Sequence, residues 1–454
     1  MSVIPDALDY QIKDRVSGRY YKNRVAPIDG TSLTLSATGT STRSFKLPAN
    51  VHNQSLGVLA FDMLVPANTS TYNYLNLHLN QIPIQTIRLR DDSNQMLASI
   101  ENAHKYFNTI MNEFKQDYID SLDSFSSTAG TGSGICLGIR PNRAVVAVAN
   151  YRINNDGTAM EASVVPYDER LYFRQQGNTT ANSFYTYWRI PMNILTHTIF
   201  SVNQDMYYDK NLTLEIEFCK YDNYILQNHT ANDVVTGVIT KDGNPVSLAN
   251  LYYYQAVQQN QAIVQEITGL FNSGRMKLLV PFVTTYRRTL ENAGTHDLNI
   301  IISNVLGQKL KDIYITPYNT TETLTTSFLH SNVAGYRITD FLPFLDSQPL
   351  YSSRIVSASN DDYMIMKEKF LNGSCTMVSN VYQANWYWHE SFCDRTIGEH
   401  NISDGLDISK REIIFRMDIN APRTNAYYVF VVTEKVASLS PAGIIISPAG
   451  MFIQ

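Results

Sequence analysis

Charge is scarce in this sequence of 454 residues. Asp, Glu, Lys and Arg make up 17%, against about 25% in ordinary soluble proteins. The balance is slightly acidic, −5 at pH 7, which argues against a domain whose whole surface is built to bind nucleic acid. Cysteine is sparse too. Cys136, Cys219, Cys375 and Cys393 lie far apart and form no CxxC pair, so neither a disulfide framework nor a zinc ribbon is written here, and a reduced, intracellular site of production is expected. Long apolar runs are missing. No stretch approaches the ~18 residues of a membrane helix, and the start, MSVIPDALDYQ, lacks the basic and apolar regions of a signal peptide. We expect neither leader nor span. The N-x-S/T sequons at Asn53, Asn68, Asn178, Asn211, Asn228, Asn319, Asn372 and Asn401 are then by-products of Asn- and Thr-rich loops.

What fills the chain instead is Tyr, Phe, Thr and Asn. There are 29 Tyr and 19 Phe, and 44% of residues are hydrophobic. This mixture favours strands and long polar loops, and it suits surfaces that become buried against a partner. The strand signals begin after about 43 irregular residues. Residues 57–65 are a mostly apolar run. Leu75, Leu77 and Leu79 alternate with Asn76, His78 and Asn80, and Ile87 and Leu89 with Arg88 and Arg90, the period of a half-buried strand. Over 93–125 the period changes. Leu97, Ile100, His104, Phe107, Met111, Phe114, Tyr118, Leu122 and Phe125 recur every three or four residues, which predicts an amphipathic helix capped by Asp92 or Ser93, with His104 as a hydrogen-bonded core residue. Strands resume at 135–153, 161–173 and 183–190. A short apolar segment spans 191–202, and the cleanest strand follows, with Leu212, Leu214, Ile216 and Phe218 inward and Thr213, Glu215 and Glu217 outward.

Residues 222–247 read as a polar linker and 248–272 as a helix stopping near Gly274. From Met276 strands return: MKLLVPFVTTYRR, DLNIIIS, KDIYITPY, YRITDF, CTMVSNVYQANWYW, REIIFRMDI, YYVFVVTEK and AGIIISPAG. The expected organisation is an N-terminal arm at 1–43, a first β-block at 44–221 with the inserted helix, a linker and helix at 222–275, and a second β-block at 276–454. Eight or so strands per block, with long loops, is the pattern of a jelly roll. The predicted fold class is therefore all-β, a tandem double jelly roll of two eight-stranded β-sandwiches with inserted helices. No residue-level repeat links the two blocks.

Three constellations invite a catalytic or metal reading. Glu215 and Glu217 share one face of a strand, ~7 Å apart, a separation that glycosidases use; a solvated or interface strand face explains them as well. His389, Glu390, Cys393 and Asp394 lie within WYWHESFCD but lack HExxH or CxxC spacing; Trp386 and Trp388 on one strand face, followed by a polar turn, is the simpler account. GTGSG at 130–134 has no Lys-Ser/Thr after it and reads as a loop. We assign no catalytic, metal-binding or cofactor-binding residue. The one local charge anomaly is basic: Lys13, Arg15, Arg19, Lys22 and Arg24, interleaved with Tyr20 and Tyr21. A solvated arm accounts for them; the sharper reading makes them the candidate contacts to a neighbouring subunit, to lipid headgroups or to packaged nucleic acid.

The segment TYWRIPMNILTHTIFSVNQDMYYDKNLTLEIEFCKY (186–221), with its Ile190-Pro191 step, Phe200 and the alternating strand 212–218, and the later IYITPY and NWYWHESF, resemble double-jelly-roll major capsid proteins of polinton-like viruses, virophages and related DNA viruses. The architecture would cover about 400 residues, the motifs about forty. The resemblance implies a virion shell protein assembled inside a host cell. It implies homotrimers with a pseudo-hexagonal outline, and as partners neighbouring capsomers, penton and minor capsid proteins, and an internal membrane or genome met through the N-terminal arm. It implies no cofactor, no small-molecule substrate and no enzymatic activity. A receptor- or carbohydrate-binding β-sandwich is the alternative from another class, and a hydrolase using Glu215 and Glu217 the third.

Overall fold

The computed structural model of the protein describes residues 19–36, 38–65, 72–75, 82–110, 152–153, 159–160, 184–220, 225–229, 246–290, 294–303, 309–319, 337–359, 361–366, 386–392, 405–407, 411–421 and 425–448. Eight principal strands make a first sandwich: β1 (Tyr20–Val25), β2 (Ser41–Leu47), β3 (His52–Val65), β4 (Ile84–Arg90), β5 (Met96–Glu101), β6 (Phe184–Pro191), β7 (Leu212–Phe218) and β8 (Ser247–Gln258). Their sheets run β1-β8-β3-β6 and β2-β7-β4-β5. Eight more make a second: β9 (Met276–Leu290), β10 (Gly294–Ile302), β11 (Lys309–Asn319), β12 (Arg337–Leu345), β13 (Gln348–Pro349), β14 (Trp388–Ser391), β15 (Ile413–Ala421) and β16 (Asn425–Ser440). Their sheets run β9-β16-β11-β14 and β10-β15-β12-β13. Counted from one within each sandwich, both windings read 1-8-3-6 and 2-7-4-5. The repeat that the residues do not display is complete in the topology.

Each sandwich is held by inward-facing residues of both sheets. β7 alternates without exception between buried and half-buried positions. In the first core Phe61 stacks on Trp188 at 5.7 Å and meets Phe218 of the opposite sheet edge-on at 5.4 Å. In the second, Phe341 of β12 meets Trp388 of β14 at 4.6 Å and Trp386 at 5.9 Å, both edge-on. Such pairs add about 0.5–1.5 kcal/mol beyond the area they bury.

Several expected boundaries are corrected. Residues 20–25, assigned to an arm, form the edge strand β1, paired with β8 in unbroken register from Tyr20↔Gln258 to Val25↔Tyr253. The segment is mostly exposed, so it lacks apolar periodicity, yet its backbone completes the sheet. The end of the arm is also a strand, because β2 begins at Ser41. The predicted helix 93–125 is a strand over its first part: Met96–Glu101 pairs with β4, and the described residues of helix α1 are Ala103–Ile110. The Asp91 carboxylate accepts the backbone N–H of Ser93 at 2.9 Å and of Gln95 at 2.7 Å, and Asn94 takes a positive φ of 68°. This turn folds β5 back on β4, which defeats the helical reading. Residues 111–125 and the loop 130–134 lie outside the described residues.

The predicted helix 248–272 likewise divides. β8 lies between β1 and β3, and helix α2 (Gln261–Asn272) starts after it, where the Asn260 side chain accepts the Ala262 N–H at 3.0 Å. The linker assigned to 222–275 thus contains a central strand of the first sandwich. The stop near Gly274 has its physical cause in view. Gly274 adopts φ +68°, its N–H reaches Phe271 O, and the Arg275 N–H reaches Leu270 O at 2.9 Å, the paired bonds of a Schellman turn.

Gly57 in β3 is needed for space rather than for backbone freedom. A Cβ there would lie 2.9 Å from Cζ of Tyr253 and closer still to its hydroxyl, which donates to Gln54 Oε1 at 3.0 Å. Gly57→Ala is expected to destabilise the chain by about 1–3 kcal/mol through overpacking, read as a lower denaturant midpoint at unchanged slope.

Candidate functional site at the junction and outer faces

A strand with one solvated face alternates. β16 does not: all residues from 426 to 434 are buried. Its odd positions face β10-β15-β12 inside the second sandwich, and its even positions face the first sandwich. The same holds for β11 and β14, so the part of sheet β9-β16-β11-β14 formed by β16, β11 and β14 is covered on both sides. Its second face carries Asp312, Tyr314, Thr316 and Tyr318 from β11, Tyr428, Phe430 and Val432 from β16, and Tyr387 and His389 from β14 and its approach. All are buried.

This face is polar as well as aromatic, so it needs partners. His389 Nε2 donates to Asp312 Oδ1 at 2.8 Å and the ring stacks on Tyr314 at 4.0 Å. The first sandwich supplies the rest. His197 places Nδ1 3.9 Å from Asp312 Oδ2 and Nε2 3.2 Å from the Tyr314 hydroxyl. It sits between two 3₁₀ turns, Met192–Ile194 and Ile199–Ser201, at a φ of +59°, a left-handed conformation that costs about 1–2 kcal/mol in a non-glycine residue. The Thr198 side chain accepts the Phe200 N–H at 3.2 Å and holds the turn that follows. From α1, Lys105 donates to the Tyr428 hydroxyl at 2.8 Å, with its ammonium 4.0 Å from the Tyr428 ring and 5.0 Å from that of Tyr318. Such desolvated cation–π contacts reach about 2 kcal/mol. Tyr106 packs edge-on against Tyr314 and Phe430, and the Thr285 hydroxyl donates to Glu101 O at 3.1 Å.

The sequence-predicted residues distribute as follows. Lys13 and Arg15 lie outside the described residues. Arg19, Lys22 and Arg24 are exposed at and before β1. Lys22 donates to Leu56 O, and the Arg24 guanidinium lies 4.6 Å over the Tyr252 ring. Glu215 does share a face with Glu217, but both its oxygens are engaged, by Arg88 at 2.9 Å and by Arg90 at 3.5 Å. Trp386 and Trp388 share a face as expected, donating to Asp362 at 2.8 Å and to Glu390 at 3.2 Å. His389 and Glu390, expected in a turn, are in strand β14 and point to opposite faces, one into the junction and one into the sandwich. They cannot ligate one ion. Cys393 and Asp394 lie outside the described residues. Among the described residues no group of three His, Cys, Asp or Glu side chains could hold a metal.

His104 is buried beside Cys219, with Nδ1 3.7 Å from the sulfur. Burial and then the Lys105 charge push its pKa well below the ordinary imidazole value. Sequence reasoning missed Asp312, His197 and Lys105 as junction residues. A signal is present in KDIYITPY: both alternating sets, Ile-Ile and Asp-Tyr-Thr-Tyr, are strand-compatible, but hydropathy marks only the first as buried.

No protein-family model matches the sequence, and no curated protein does. Solved structures match nearly end to end. A quasi-atomic model of the PBCV-1 virus capsid aligns with a TM-score of 0.58 at 8% identity, over 97% of this chain and 100% of that chain. The Faustovirus major capsid protein gives 0.57 at 11%, over 95% and 92%. The mavirus major capsid protein gives 0.50 at 12%, over 98% and 93%. At such identities the likeness is one of fold, and the chain has the double-jelly-roll fold of these proteins.

Two measurements probe the junction. His389→Leu removes the 2.8 Å donor from buried Asp312 and should cost about 3–5 kcal/mol, with part recovered when Asp312→Leu is added, because the uncompensated charge is the larger penalty. His104 stays neutral in the folded chain where the unfolded chain protonates it. Its depressed pKa therefore contributes stability that is complete above about pH 6.5 and is lost as pH falls below it. Melting curves between about pH 7 and 5 should fall less steeply for His104→Gln than for the unaltered chain.

Proposed function

We propose that this protein is a viral major capsid protein whose chains associate in threes to tile a virion shell. The observation that carries this reading is the repetition of one winding, 1-8-3-6 and 2-7-4-5, in two sandwiches joined through a buried junction. Each chain presents two similar blocks in fixed relation, so three chains around an axis present six, an outline that packs in sheets. The end-to-end fold match to capsid proteins supports the same conclusion. The tryptophans Trp188, Trp386 and Trp388 are buried, so none of them offers the exposed aromatic platform of a carbohydrate-binding sandwich. A hydrolase centred on Glu215 would need that carboxylate released from Arg88 and Arg90.

On this reading the partners are other copies, penton and minor capsid proteins, and the interior of the virion, a membrane or the genome, reached by residues 1–18 with Lys13 and Arg15. Arg19, Lys22 and Arg24 act from the sheet edge rather than from an arm.

Electron microscopy of the purified protein should show hexagonal particles made of three 51.4-kDa chains; a strictly monomeric protein at micromolar concentration would contradict the proposal. Deleting residues 1–18 should leave the melting temperature unchanged and lower the yield of assembled particles. Deleting residues 1–40 removes β1 as well and should lower the melting temperature, since it strips the Tyr20–Asp205 and Lys22–Leu56 hydrogen bonds and one side of β8.

A further inference from the structure

The outer face of the sheet formed by β10, β15 and β12 is ordered in rows. Strand register sets Asp297, Asp418 and Asp340 side by side, then Asn299, Arg416 and Leu342, then Ile301, Ile414 and Phe344. Arg354 crosses the first row, bound to Asp418 at 2.7 Å and to Asp340. One guanidinium thus binds two of the three carboxylates in the row. Partial burial, the hydrogen bond to Asp297 and the charge of Asp340 push the Asp418 carboxyl upward, as crowding of like charges requires. At the other end the Arg416 guanidinium lies 4.5 Å over the Phe344 ring, and Ile301 is 55% exposed. A shallow cleft of about 440 Å³ runs between the acidic and apolar rows, lined by Asp297, Asn299, Ile301, Arg354, Arg416 and Asp418.

The other outward sheet with a marked charge sign is β1-β8-β3-β6. Its outer face carries Lys22, Arg24 and Arg189 against Asp62, which takes bonds from Arg189 at 3.2 Å and from Asn250 at 2.8 Å. Tyr252 and Tyr254 lie beneath the cations, half-buried. The two faces match in kind: an acidic row beside exposed aliphatic side chains, and a cationic row over tyrosine rings.

We propose that the acidic row of one copy docks on the Lys22 and Arg24 face of a second copy of this chain. The inference rests on the shell-forming reading and supplies it with a lateral contact. Each chain carries one face of each kind on different sandwiches, so the contact is head-to-tail and propagates around a ring or across a lattice. The contact covers Ile301 and brings Arg24 and Lys22 into the row where carboxylates outnumber guanidinium groups.

Charge reversal tests it by sedimentation velocity on the full chain, with melting curves to confirm folding. Asp297→Lys alone and Arg24→Glu alone should each weaken self-association at least about tenfold, as like charges are set opposite each other. The chain carrying both substitutions restores an opposite pair across the contact and should recover most of the loss, and added salt should weaken the unaltered chain. Two folded single variants that associate as the unaltered chain does, or a double variant no better than the weaker single one, overturn this pairing of faces while the shell-forming reading stands. An unaltered chain that stays monomeric overturns both.

Discussion

The sheet β9-β16-β11-β14 has no solvated face through its centre, and everything else in the molecule is arranged around that. A sheet buried on one side can send its polar side chains to water. This one turns Asp312, His389, Tyr314, Tyr318 and Tyr428 toward the first sandwich; His389 and Asp312 pair within the sheet, and the remaining polar groups must find partners across the junction or carry a desolvation cost of several kcal/mol. The partners come from elements that belong to neither sheet of the first sandwich: α1, which brings Lys105 and Tyr106, and the paired 3₁₀ turns that bring His197. Those inserted pieces are the mortar between the sandwiches. They explain why the left-handed backbone at His197 is tolerated, since the ring it positions meets both Asp312 and Tyr314.

A polar junction of this kind favours one relative orientation of two sandwiches over others. Apolar faces can slide with modest change in buried area, but a 3.2 Å bond between His197 and the Tyr314 hydroxyl and a 2.8 Å bond from Lys105 to Tyr428 cannot be kept in a shifted arrangement. For a protein proposed to tile a shell, fixed geometry between its two blocks matters more than the stability of either. The outer faces then differ in character because nothing inside the chain needs them: one is acidic, the other cationic over tyrosine.

Much of the fold is legible in the order of the residues. Half-buried strands such as β7, β10 and β15 announce themselves by period two, and the tail of α2 by its glycine. The failures share a cause. β5 carries Leu97 and Ile100, whose spacing of three is that of a helix; a bulge at Leu97 buries both in a strand, and the decision belongs to the Asp91 turn that pairs it with β4. β8 is apolar enough to read as the start of a helix because it is covered on both edges. β1 is polar because it lies at an edge, and an edge strand needs only its backbone to join a sheet. Of the site, Trp386 and Trp388 reveal their shared face by their spacing. The opposite face of the same strand does not reveal itself, because His389 gives no local sign that a second sandwich will cover it.

By itself the sequence determined that the chain is built of strands in two blocks, that Trp, Phe and Leu fill two sandwich interiors, and that its charge is sparse and locally basic near the start. These follow from side-chain chemistry and local period, which act over a few residues. Only the tertiary structure decided that both blocks share one winding, that residues 20–25 close a sheet with residues more than two hundred positions away, and that Asp312, His197 and His389 meet. Those outcomes depend on which surfaces remain to be covered once each sheet has formed, and no local pattern contains that information.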